Sequence, residues 1–135
     1  MNDKPSIVEK ILTAPSREEQ DEEQSNEYKA FGISATQDRQ IRIDIRDRKG
    51  NSWFYSYSYI TRIQCTGNQL ISLIATDSIV TLEGENLNPL KRYFQNEMIV
   101  YVQEFNSQHW NKPEPGNPII NKIEIWEAST INIEE

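Results

Sequence analysis

The sequence predicts a mainly β domain of the α+β class, a small antiparallel barrel or strongly bent sheet closed by one short helix. Three observations predict it. Residues 39–46 alternate apolar and polar side chains with period two, the mark of a half-buried strand in an antiparallel sheet. Short turn signals separate this segment from three further strand-like runs. The period shifts to helical spacing at residues 85–97 and then returns to strand.

The elements follow in chain order. In PSIVEKILT (5–13), Ile7, Val8, Ile11 and Leu12 are spaced for a short amphipathic helix, marginal in isolation. Apart from Pro15, residues 14–27 carry no apolar side chain larger than alanine and read as a flexible acidic linker. The β-rich domain is expected over 28–105. In RQIRIDIR (39–46), Ile41, Ile43 and Ile45 share one parity, opposite Gln40, Arg42, Asp44 and Arg46. DRKGN at 47–51 supplies turn chemistry, SWFYSYSYITRIQC follows as a second strand, and Gly67-Asn68 marks the next turn. LISLIAT (70–76) and IVTLEG (79–84) are the third and fourth strands, joined at Asp77-Ser78. Asn88 is placed to cap a helix that Pro89 opens, with Leu87, Leu90 and Phe94 on one face. MIVYVQEF (98–105) closes the block, and a Pro/Asn-rich stretch leads to a last strand at IINKIEIWE within the 106–135 extension. The order is β-β-β-β-α-β, with antiparallel pairing expected. Pleckstrin-homology-like and Sm-like barrels both use such material.

The net charge of −7 is unevenly spread. Residues 1–27 hold three Lys/Arg against eight Asp/Glu, residues 28–105 nine against eight, and residues 106–135 two against five. An acidic chain disfavours unspecific nucleic-acid binding, but here the acidity lies in the ends. A lone Cys65 excludes an intramolecular disulfide and fits a reducing compartment. No apolar run reaches signal-peptide or membrane-helix length, so a cytoplasmic protein is expected.

Trp53, Tyr55, Tyr57 and Tyr59 share one parity. On a straight strand they form an aromatic ladder able to stack bases or grip an extended peptide. If the strand bends near Tyr57, then Tyr57, Ile60 and Ile63 become core instead. Arg42 and Arg46 could add a basic face beside Trp53, Tyr55 and Tyr59, although Asp38, Asp44 and Asp47 dilute it. The ends offer two docking elements: Ile7 and Ile11 on the N-terminal helix, and Ile123, Ile125 and Trp126 on the C-terminal strand, which either packs on its own domain or adds to a partner's sheet. His109 and Cys65 are each the sole residue of their type, so neither a Cys/His zinc set nor a histidine-based triad is supported. No phosphate-binding glycine motif is present. No cofactor, metal or catalysis is expected.

The stretch IVTLEGENLNPLKRYFQNEMIVYVQE, with Thr81, Leu82, Gly84, Asn86, Leu87, Pro89 and Leu90, resembles a family of small bacterial β-rich proteins carrying T-[LI]-x-G-x-N-L-x-P-L. That family has no assigned function, so the resemblance implies a strand-to-helix fold element and no activity. The functional expectation is a non-enzymatic protein-interaction module. Its alternatives are a single-stranded nucleic-acid-binding small barrel and an acidic immunity or inhibitor protein that neutralises a basic one.

Overall fold

A computed structural model describes residues 26–128. The expected helix at 5–13, with Ile7 and Ile11, and nearly all of the acidic linker lie outside the described residues. The fold is mainly β, with one α-helix among the described residues. Its strands are β1 (Phe31–Ile33), β2 (Arg42–Arg46), β3 (Ser52–Ser56), β4 (Ile60–Thr66), β5 (Leu70–Ala75), β6 (Ser78–Glu85), β7 (Ile99–Gln103) and β8 (Ile119–Glu127), and helix α1 (Asn88–Gln95) sits between β6 and β7. They form two four-stranded sheets, ordered β1-β7-β2-β3 and β4-β5-β6-β8. Neither sheet closes into a barrel.

Period-two patterning places one face of each sheet on a shared core. Ile43 and Ile45 of β2 and Val102 of β7 meet Ile71, Leu73, Val80 and Leu82 of the second sheet. Leu87, Leu90 and Phe94 from the helix region join the same cluster. The alternation of 39–46 does not extend to Ile41, which is 74% exposed because the strand starts one residue later. Pairing between these strands is antiparallel except between β2 and β7, which run parallel. That parallel pair follows from β7 entering between β1 and β2 rather than at a sheet edge.

The strand expected over 52–65 is broken. Tyr57–Tyr59 form a single 3₁₀ turn, with β3 before it in one sheet and β4 after it in the other. The Ser56 and Ser58 hydroxyls hydrogen-bond across the turn at 2.8 Å. Tyr57 swings into the core and its hydroxyl donates to the Ile99 carbonyl at 2.7 Å. Ile60 and Ile63 pack partly buried against the same core.

The helix is capped differently from expectation. Leu87, not Asn88, is the N-cap and has no side-chain acceptor. The acceptor comes from the β4–β5 turn instead, where Asn68 Oδ1 takes the Asn88 N–H at 2.7 Å. Gly84 lies not in a turn but inside β6, at a register shift against β8, where a Cβ would overlap the Ile119 carbonyl oxygen. Asn86 adopts φ 58°, a conformation that Asn tolerates better than most residues. The fold extends through Glu127, because β8 pairs with β6 from Ile119 to Glu127.

Two tests follow from this packing. Gly84→Ala should destabilise the protein by about 2 kcal/mol in urea titrations, since the backbone must move to admit the methyl group; an unchanged midpoint would contradict the close approach. Burial pushes the Tyr28 and Tyr57 phenols well above their ordinary pKa of 10.0, with the Glu97 charge adding to the effect at Tyr57 and the hydrogen bond to Ile99 opposing it. Folded-state pKa values above the unfolded ones mean stability that is complete below pH 10 and falls as pH rises beyond it. Tyr57→Phe should therefore lose about 1 kcal/mol at neutral pH and show a flatter alkaline decline in thermal melts. An alkaline decline as steep as that of the parent would rule Tyr57 out as a contributor.

Candidate functional site

The terminal strands β3 and β8 face each other along one side of the core without pairing. Between them lies an open seam, a cleft of about 310 Å³ lined by Asp47, Trp53, Ile123, Ile125 and Glu127. Register explains how its walls arise. Trp53 pairs with Ile45 and Tyr55 with Ile43, so both aromatic rings share the inward face of β2. On the opposite sheet, Ile123 and Ile125 pair with Leu82 and Val80, again the inward face. These four side chains are core-facing positions at sheet edges, where no further strand among the described residues covers them. Trp53 is 40% exposed as a result.

Each end of the seam is tied by hydrogen bonds. At one end the Tyr55 hydroxyl and Ser78 Oγ lie 2.9 Å apart. At the other, Glu104 is buried just after β7. Its carboxylate accepts the Arg48 N–H at 2.9 Å and the Ile123 N–H at 3.1 Å, and pairs with the Arg48 guanidinium at 3.2 Å. The same guanidinium donates to the Asn121 carbonyl at 2.9 Å. Glu104 thus links the β2–β3 turn to β8 across the two sheets.

Asp47 organises that turn. Its carboxylate accepts the Lys49 and Asn51 N–H groups, each at 2.9 Å, and the Asn51 side-chain amide. Burial alone would raise its pKa, but these hydrogen bonds, with one from the Trp53 side chain, outweigh it and hold the carboxyl below its ordinary range.

The expected basic-plus-aromatic surface does not assemble. Arg42 and Arg46 lie on the outer face of the first sheet, opposite to Trp53 and Tyr55. Arg46 is bound in place by Asp44, at 2.9 Å, and by the Tyr101 ring, 4.1 Å from the guanidinium carbon to the centroid. Tyr59 projects from the 3₁₀ turn, 61% exposed. Parity alone cannot register the turn that separates these rings. The exposed aromatic on the outer face is Phe54, which pairs with Asp44.

The C-terminal docking residues also divide. Ile123 and Ile125 line the seam, whereas Trp126 pairs with Ile79 on the outer face of the second sheet. Trp53 therefore meets Ile123 and Ile125, two groups that the sequence shows only as separate candidates. Asp47 and Glu127, which flank them in the cleft, carry no signal in the sequence beyond turn chemistry and a strand end.

Among the described residues there is no group of three or more His, Cys, Asp or Glu positioned to hold a metal ion. His109 is exposed, edge-on to Trp110. No helix among the described residues is long and apolar enough to cross a membrane. Compared with protein-family models, curated proteins and solved structures, the chain gives no match in any of the three.

Removing the carboxylate that ties the seam tests this geometry. Glu104→Ala should cost about 3 kcal/mol in denaturant titrations, because it strands the Arg48 and Ile123 N–H groups and unties the β2–β3 turn from β8. A loss under about 1 kcal/mol would mean that the Glu104 network behaves like an exposed ion pair.

Proposed function

We propose that the protein is a non-enzymatic interaction module that engages a protein partner along the β3–β8 seam. In this reading the two sheets act as one small barrel-like unit left open on that side, and the protein works in the cytoplasm without a cofactor. One observation supports it above the rest: three apolar side chains, from Trp53, Ile123 and Ile125, line a cleft between two edges that no other strand among the described residues pairs with. Core-facing residues left partly open beside a free edge are what strand addition uses, with backbone bonds giving affinity and pockets for alternate side chains giving specificity.

The nucleic-acid alternative loses support from the same geometry. Stacking along a single strand needs several aromatic rings beside a basic track. Here Trp53 and Tyr55 point to the core side, and Arg42 and Arg46 to the other.

The test is an affinity pull-down from native-host cells with the wild-type chain and a Trp53→Ala/Ile125→Thr double variant. A partner retained by the wild type should be lost with the double variant, while far-UV circular dichroism and the melting midpoint show that the fold persists. Recovery of the same partner by both would reject the seam as the docking site. Salt-sensitive quenching of tryptophan fluorescence by an oligothymidylate would instead favour nucleic acid.

A further inference from the structure

We infer that the occupant of the seam is a cationic, extended segment of another protein, added as a strand along β3. This inference rests on the interaction-module reading and specifies its partner.

The hydrogen-bond phase of the β2–β3 hairpin selects the edge. The Tyr57 N–H donates to the Ile41 carbonyl at 2.9 Å and the Asp47 N–H to the Asn51 carbonyl at 3.0 Å. These two bonds bracket the ladder, so the backbone groups of Trp53 and Tyr55 point at β2, because bonded and non-bonded pairs alternate along an antiparallel ladder. Those of Ser52, Phe54 and Ser56 therefore point away, along the free edge. On β8 the corresponding edge is already engaged at Asn121 and Ile123 by Arg48 and Glu104. Among the described residues, the continuous open edge is that of β3. A strand laid there turns alternate side chains inward against Trp53, Ile123 and Ile125, where the cleft accepts aliphatic groups.

Charge selects the occupant. Among the described residues, both titratable groups in the cleft wall, Asp47 and Glu127, are acidic, and no lysine or arginine lines it. The nearby Arg48 guanidinium is neutralised by Glu104. The hydrogen bonds to Asp47 favour its ionised form. Segments from this chain carry the wrong sign: residues 1–27 hold eight Asp/Glu against three Lys/Arg. A second copy is opposed too, since each brings a net charge of −7 and a matching pair of cleft carboxylates. A basic segment from a different protein meets both the apolar wall and the field.

The experiment titrates the full chain with three short capped peptides, alternating valine with lysine, threonine or glutamate, and follows the three tryptophan indole N–H signals by NMR. With the lysine peptide at low salt, the Trp53 signal should move while those of Trp110 and Trp126 stay in place. Glu127→Lys should weaken this binding about fivefold, the scale of one exposed charge pair, and high salt should weaken it as well. Phe54→Pro should abolish it, since proline removes an edge donor without removing a β2 bond; undisturbed Trp110 and Trp126 signals report that the fold is kept. Equal binding of the lysine and threonine peptides would overturn the cationic occupant and leave the docking seam standing. Failure of all three peptides to move the Trp53 signal would overturn both. A dimer in sedimentation that Phe54→Pro dissociates would assign the edge to a second copy and overturn the inference.

Discussion

The buried carboxylate of Glu104 is the constraint on which the arrangement of the two sheets depends. Apolar contact between inner faces is non-directional and would tolerate several relative orientations. Glu104 removes that freedom. It accepts one N–H from the β2–β3 turn and one from β8 while binding the Arg48 guanidinium. Such a group stays buried only if its acceptor capacity is filled, so the turn and β8 must both be present. The seam owes its position to this: closed at the Glu104 end, bridged by Tyr55 and Ser78 at the other, and open between.

The apolar core and the polar ties divide the work along the chain. Leu82, Leu87 and Leu90 supply buried volume. Gly84, Asn86 and Asn68 supply the geometry that lets β6 pass close to β8, turn sharply and start a helix with a satisfied N–H. The motif running from Thr81 to Leu90 is thus a junction in which each residue type answers a local steric or hydrogen-bonding demand. Its physical content is structural.

Strands β2, β5 and β6 and helix α1 are legible in the sequence, because Ile43/Ile45, Ile71/Leu73 and Val80/Leu82 repeat with period two and Leu87, Leu90 and Phe94 with helical spacing. The break at Tyr57–Tyr59 is less so. A tyrosine-rich run has the same β preference whether it continues straight or folds inward, and only the burial of Tyr57 decides. The parallel pairing of β2 with β7 depends on contacts far apart in sequence, as does the meeting of Trp53 with Ile125. Parity shows which residues share a face but not which face is inward, nor which strand is last in its sheet. The candidate site is built from those two missing facts. Its acidic residues were hidden for the same reason: Asp47 reads as a turn residue and Glu127 as one more charge in an acidic tail.

The 3₁₀ turn at Tyr57–Tyr59 also bears on how the chain finds this structure. It divides the molecule into two pieces of low contact order, the β2–β3 hairpin on one side and the β4–β5–β6 meander on the other. Each piece joins strands adjacent in sequence, where loop closure is entropically cheap. Strands β7 and β8 are different, since they pair with β1, β2 and β6 across long stretches of chain. Sequence separation thus makes hairpin and meander the units that close at the lower entropic cost, and the pairings of β7 and β8 the costlier ones. The edges of β3 and β8 that bound the seam are placed by those long-range pairings, so the open side of the molecule belongs to neither local unit alone.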